Sequence, residues 1–323
     1  MKNNNLISIN DLSNEEIFNI IHLTKKIKAN KYPYRNIASR FILGNLFFQP
    51  STRTRGSFES AMLHLGGNVI NVNDINTTSI VKGEAVQDTI RMWDNYADIL
   101  VLRHSNENFV KEAQGVSTIP IINAGNGEDE HPTQTLVDLF TIMCEFDTIE
   151  HLNFVICGDL KRGRAVHSLI HAALRFNNNI MLVPANGYEL SSSFLNNILN
   201  QHKGKSLMRD YSSLDKLYPN KKEEIYYIKS HADWSAPYVF YMTRLQNNTP
   251  STDINYPYID KHLVLDFRNK DLYNNFILMH PLPRHNEIPE HMDENTHSKY
   301  FQQAANGVPV RMALIIDMLG TTL

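Results

Sequence analysis

The sequence predicts an α/β protein of two domains, each a parallel sheet flanked by helices. Three observations predict it. Short apolar runs of strand length alternate with segments of helical length and period, the pattern of parallel sheets covered on both faces. A chain of 323 residues, 42% of them hydrophobic, can bury a large core and exceeds one domain of ordinary size. The pattern restarts at Leu152 with a fresh strand, turn and helix, which places the boundary inside or just after the preceding helix and divides the chain, to a first reading, into 1–146 and 147–303.

Taken in order, Ser13 and Glu16 have the spacing of a capping box and open an amphipathic helix through about Lys26. Phe41 to Phe48 is an apolar run of strand length, followed by "QPSTRTRGSFE" and a helical pattern. Further strands are expected at Val69 to Val72, Ile99 to Leu102 and Ile119 to Ile122, with helices at Glu84 to Tyr96 and Pro132 to Phe146. In the second half come strands at Leu152 to Cys157, Ile180 to Val183, Val239 to Met242 and Phe276 to Met279, and a helix at Arg164 to Phe176. Residues 244–262 are rich in turn formers and read as a long loop. Ala304 to Leu319 reads as a terminal amphipathic helix. Periodicity does not say which half it packs against; the stretch 304–323 is assigned to the first domain as an expectation.

Composition excludes several function classes. With 31 basic against 34 acidic residues and no charged block, the net charge of -3 offers no general footprint for nucleic acid or an anionic membrane. No apolar stretch approaches the roughly 20 residues needed to cross a bilayer, and the start lacks the apolar run of a signal peptide. Cys144 and Cys157 lack metal-type spacing and read as buried helix and buried strand, so no disulfide framework is expected and a cytoplasmic location fits. No metal or cofactor is called for.

The stretch "PSTRTR" is suited to a phosphate. It runs from the carboxyl end of a strand into a helix, where unpaired backbone N–H groups and the helix dipole favour an anion. Hydroxyls and guanidinium groups stand at that point, and arginine's planar fork matches phosphate oxygens. A plain Ser or Thr cap beside solvated arginines is the competing reading of those residues alone. A second turn, "GDLKRGRA" at 158–165, is a near miss to the nucleotide P-loop: Arg164 replaces its lysine and Ala165 its magnesium-binding hydroxyl. An NTPase is therefore not expected, and Arg164, at the start of a helix in the second half, could instead face a carboxylate.

Five motifs in order, "PSTRTRGSF", "HPTQTLVDLF", "GDLKRGRAVHSL", "YMTRLQ" and "HPLPRHNEI", resemble the catalytic chain of the aspartate carbamoyltransferases, from about residue 7 to the end. Ornithine-using relatives normally carry cysteine in the late motif, whereas Pro281 follows His280 here. The resemblance implies transfer of the carbamoyl group of carbamoyl phosphate to L-aspartate in pyrimidine biosynthesis, with carbamoyl phosphate on the first domain, aspartate on the second and the active site in the interdomain cleft. It implies that Ser51, Thr52, Arg53 and Thr54 hold the phosphate and that Arg103 bridges phosphate and carbamoyl oxygen. His131, Gln134 and the backbone of Pro281 and Leu282 then complete the carbamoyl site, with Thr54, Arg103 and His131 the catalytic donors. Arg164, Arg244 and Gln246 match the aspartate-binding set. Thr78 and Lys82 resemble a loop that enters the neighbouring subunit's site in a homotrimer, Lys82 reaching both substrates; regulatory chains are left open.

Such a reaction needs fixed cations, because a phosphoryl group and two carboxylates must sit together, and it needs donors on the carbamoyl oxygen as negative charge develops there. The four other histidines noted, His64, His104, His167 and His171, match no role and read as structural. Relatives often carry glutamate where Gln49 stands and arginine where Thr249 stands, linking the closed domains; here both ends are absent, which predicts weaker aspartate affinity. Arg162 replaces a tyrosine or methionine. Two competing readings stay open: transfer to another amine acceptor, since the loop after Gln246 differs, and a catalytically inert scaffold subunit.

Overall fold

The structure, a computed structural model, describes residues 5–185, 187–202, 206–208, 226–229, 236–246 and 275–321. Its elements run α1 (Asn14–Ala29), β1 (Ile42–Phe47), α2 (Arg53–His64), β2 (Asn68–Val72), α3 (Val86–Trp93), β3 (Ile99–His104), α4 (Asn108–Gln114), β4 (Ile121–Asn126) and α5 (Pro132–Phe146). They continue with β5 (Asn153–Gly158), α6 (Arg164–Arg175), β6 (Asn179–Pro184), α7 (Ser192–Gln201), β7 (Ser206–Met208), β8 (Tyr226–Lys229), β9 (Tyr238–Met242), β10 (Phe276–Met279) and α8 (Tyr300–Met318). Contacts divide the chain into two compact units, Met1–Phe140 with Ala304–Leu323, and Thr141–Gln303. The division falls within α5, and most of α8 belongs with the first unit.

The first unit is built on a four-stranded parallel sheet in the order β2-β1-β3-β4. β1 and β3 are buried along nearly their whole length, which is why both read as continuous apolar runs rather than alternating ones. One face packs Leu46, Leu100, Leu102, Phe109 and Ile121 into a single cluster. The capping box opens α1 as its sequence predicts: Ser13 Oγ accepts from the Glu16 N–H at 3.2 Å, and Glu16 accepts from the Ser13 N–H at 2.7 Å.

β4 lies later than the apolar run Ile119 to Ile122 suggests, because it continues through 123–126, which begins and ends on an asparagine. Those asparagines are buried yet satisfied. Asn123 Nδ2 donates to the Ile7 carbonyl at 2.8 Å and to Asn126 Oδ1 at 2.9 Å. The N-terminal segment thereby becomes a staple on β4, reinforced by a bridge between Leu6 and Ile122.

The second unit is built on a six-stranded sheet in the order β10-β9-β5-β6-β8-β7. β10, β9, β5 and β6 are parallel, whereas β8 pairs antiparallel to β6 and β7 antiparallel to β8. That edge departs from the purely parallel sheet expected, since strands of four and three residues are too short to carry a readable period. Val155, Cys157, Met181, Val183, Phe240 and Met242 share its core cluster. Cys157 is buried as expected, but Cys144 is exposed, because the last turn of α5 emerges from the core. Most of the expected loop, 247–262, lies outside the described residues, as does Thr249.

Candidate active site

In the first unit the sheet order sets β1, β3 and β4 side by side and parallel, so their carboxyl ends form one edge. Ser51, Thr52, Arg53 and Thr54 follow β1 at the start of α2, Arg103 stands in β3 opposite Phe47, and His131 follows β4 at the start of α5. Those are the positions at which parallel sheets bind ligands. Thr52 occupies the cap position of α2 but its side chain makes no capping bond, so its hydroxyl does not serve as a plain cap. The two arginines part company. Arg55 turns along the helix to Glu59 at 3.1 Å, while Arg53 is exposed at the first helical position.

The turn carrying His131 is tightly held. Gly127, at φ 46, donates its N–H to the His104 carbonyl at 2.9 Å, and a Cβ there would lie 2.4 Å from Glu107 Cγ. Glu130 accepts from the Ile9 N–H at 3.1 Å. His131 itself is buried, with Nδ1 3.4 Å from Thr133 Oγ1. Gln134 donates Nε2 to Asp138 Oδ1 at 2.8 Å, one helical turn on. A carboxylate can only accept, so this bond fixes the amide: its nitrogen faces Asp138, and Oε1 is left to meet a donor. Asp138 is fully buried and favours the charged form of buried Arg311, from α8, whose guanidinium is pushed down to about 10 by burial. Sequence reasoning missed both residues, although the i,i+4 spacing of Gln134 and Asp138 on a helix is visible.

Thr78 and Lys82 lie on the loop after β2, in consecutive 3-10 turns. Thr78 Oγ1 donates to the Ile75 carbonyl at 2.6 Å, and Lys82 is exposed ahead of Gly83 at φ 92. His104 stacks on Phe109 at 4.3 Å between ring centroids, and burial lowers its pKa.

In the second unit, β10, β9 and β5 are neighbours, and their carboxyl ends carry Pro281 and Leu282, Arg244, and the turn to Arg164. β5 ends at Gly158, φ 108, where a Cβ would sit 2.2 Å from the Thr243 carbonyl oxygen. Only glycine lets the two strand ends approach so closely. The next residue, fully buried Asp159, accepts from the Arg162 N–H at 2.9 Å and the Gln246 N–H at 3.0 Å, tying the β5 turn to the end of β9. Arg164 starts α6; burial pushes its guanidinium down to about 10, leaving it a cation at neutral pH. Arg244 Nη1 donates to His285 Nε2 at 3.3 Å.

His280 Nδ1 accepts from the Leu282 N–H at 2.8 Å, so its Nε2–H donates to Glu287 at 2.9 Å. Burial lowers the pKa of His280 and keeps it neutral. Leu282, at φ 54, is in the left-handed region that a branched side chain rarely enters, held there by this bond. With that N–H used and none on Pro281, the backbone groups these two residues can offer are carbonyl acceptors. Asp159, His280, Glu287 and His285 were not singled out from the sequence; "HPLPRH" contains two of them, but nothing in a linear pattern says which ring nitrogen is free.

Residues 4–144 match the family described as aspartate/ornithine carbamoyltransferase, carbamoyl-P binding domain, and residues 150–318 its Asp/Orn binding domain. The chain is 41% identical to the aspartate carbamoyltransferase catalytic subunit of Picrophilus torridus, covering 99% of both. It is 40% identical to that of Methanococcus aeolicus over 96% of this chain and 94% of the other. Among solved structures, the catalytic subunit of M. jannaschii aspartate transcarbamoylase superposes with a TM-score of 0.78 at 36% identity, covering 98% of each chain. The Trypanosoma cruzi aspartate transcarbamoylase in complex with carbamoyl phosphate and aspartate does so with a TM-score of 0.75 at 31% identity, over 96% of this chain and 95% of the other.

Proposed function

The chain belongs to the aspartate/ornithine carbamoyltransferase family, and from that premise we infer that it transfers the carbamoyl group of carbamoyl phosphate to the amino group of L-aspartate. The products are N-carbamoyl-L-aspartate and phosphate, in pyrimidine biosynthesis. Carbamoyl phosphate binds the first unit and aspartate the second. The observation that carries the acceptor's identity is the pair Arg164 and Arg244 at neighbouring strand ends. Two fixed cations at one sheet edge match two carboxylates on one small molecule, and the side-chain ammonium of ornithine would meet like charge there.

Ser51, Thr52, Arg53 and Thr54 hold the phosphoryl oxygens with the N-terminus of α2, and Arg103 spans phosphate and carbamoyl oxygen. Gln134 Oε1 and the carbonyls of Pro281 and Leu282 accept from the carbamoyl nitrogen, the role their remaining hydrogen-bonding capacity allows. The amine lone pair attacks the carbamoyl carbon, and the oxygen gains negative charge that Thr54, Arg103 and His131 stabilise, each such donor contributing about 3 kcal/mol. For His131 to donate, Nε2 carries the proton and Nδ1 accepts from Thr133. The bond from carbon to phosphate oxygen then breaks, and the departing phosphate takes the amine's proton. Holding both reactants turns a bimolecular encounter into an effectively unimolecular step.

The working assembly is a cytoplasmic homotrimer in which Thr78 and Lys82 complete a neighbour's site. Two features support this: Lys82 stands exposed on its loop, and Leu63, Ile70 and Val81 of the same unit are large apolar side chains left in solvent. Cys144 and Cys157, neither of them in a disulfide, fit a reducing compartment. The purified chain, given carbamoyl phosphate with aspartate, ornithine or putrescine, should carbamoylate aspartate; product from another amine, or none, overturns the assignment. Mixing inactive Arg53→Ala and Lys82→Ala chains should restore activity through hybrid sites, and no recovery refutes the shared site.

A further inference from the structure

Arg162 stands outside the residues assigned above, yet it is bonded to one of them twice. Its Nη1 donates to the Gln246 carbonyl at 2.9 Å, and Gln246 Nε2 donates back to the Arg162 carbonyl at 2.9 Å. Asp159 holds the N–H groups of the same two residues. Of these four bonds, three use backbone groups of residue 162 or the Asp159 carboxylate and persist whatever side chain stands at 162. Only the bond to the Gln246 carbonyl requires a long cationic donor, and methionine could not supply it.

The return bond fixes the amide of Gln246. With Nε2 facing the Arg162 carbonyl, Oε1 is the atom left over, and it accepts hydrogen bonds and cannot donate them. Against aspartate, an acceptor suits the amine; the carboxylates belong to Arg164 and Arg244. We propose that Arg162 is a positioning residue: its guanidinium anchors the Gln246 carbonyl and so keeps that residue's backbone where its side chain reaches the Arg162 carbonyl and turns Oε1 toward the amine of the acceptor, so that Gln246 reads the nucleophile while the other two arginines read the carboxylates. Accepting one amine N–H would leave the nitrogen lone pair aimed at the carbamoyl carbon. This rests on aspartate carbamoylation as the reaction.

The test is Arg162→Met, with Arg162→Lys as the conservative variant, and succinate as a competitor that has both carboxylates but no amine. Arg162→Met should raise KM for aspartate about tenfold, the lower end for a hydrogen bond from a charged donor in a half-exposed place, and leave the inhibition constant of succinate within about twofold. Arg162→Lys should recover part of the aspartate affinity. In an enzyme already carrying Gln246→Ala, Arg162→Met should add little. Parallel weakening of succinate, or effects of the two substitutions that multiply, would overturn the proposal. Failure of the underlying reaction would show separately, as a wild-type chain that makes no carbamoyl aspartate.

Discussion

Replacing Asp138 with asparagine removes one negative charge and almost no volume from the interior of the first unit. Asp138 is fully buried, accepts from Gln134 at 2.8 Å, and is the charge that favours protonated Arg311. Arg311 is 3% exposed, lies 5.0 Å from the Phe58 ring and donates to the Gly307 carbonyl at 3.1 Å. It has no room to retreat to water, for even a Cβ at Gly307 would come within 2.5 Å of its Nη1. Asparagine therefore removes the negative charge that supports a buried cation at a distance, without breaking a direct ion pair, a loss of about 2 kcal/mol, below the roughly 3–5 kcal/mol of a broken buried pair. At about 2–4 °C per kcal/mol for a domain of this size, the melting temperature should fall by roughly 6 °C in calorimetry. The amide of asparagine still offers an oxygen to Gln134, so KM for carbamoyl phosphate should rise less than in Asp138→Leu, which offers none. Combining Asp138→Asn with Arg311→Met removes both charges, and the pair should be less destabilised than Asp138→Asn alone. A loss under about 1 kcal/mol for the single variant, or strict additivity in the double, would refute the coupling of α8 to the carbamoyl site.

Arg164→Lys should raise KM for aspartate more than about tenfold with KM for carbamoyl phosphate unchanged, because a single ammonium cannot reproduce the guanidinium fork; initial-rate kinetics checks it. Stability of the second unit should fall as pH drops. Burial holds His280 below its ordinary 6.5, and in Glu287 the bonds from His280 and the His285 N–H outweigh burial and hold the carboxyl below its ordinary 4.5. Both groups bind more protons unfolded than folded, so their contribution is complete above about pH 7 and is lost progressively below 6.5. Thermal melts across that range should slope accordingly, and His280→Gln should flatten the slope near pH 6. Gly158→Ala should cost more than about 3 kcal/mol, or abolish soluble expression, since the added Cβ meets backbone 2.2 Å away at φ 108.

The sequence by itself determined the elements that have a period or a cap: the Ser13 box, the buried apolar strands β1, β3, β5 and β10, and α5 to its last residue. It also determined the chemistry on offer, because hydroxyls, guanidiniums and a histidine at strand ends can be read from order alone. The edge strands β7 and β8 escaped it, and β4 reads two residues too early and without its second half. Buried asparagines look like a turn until Ile7 arrives to satisfy them, and strands so short have no pattern. The folded structure alone decided how these polar groups are oriented and which of their atoms are already bonded. Asp138 orients Gln134, His280 bends the backbone at Leu282, and Arg162 and Asp159 hold Gln246. Each depends on a partner between 2 and 87 residues away, and a hydrogen bond's direction is set by where that partner sits.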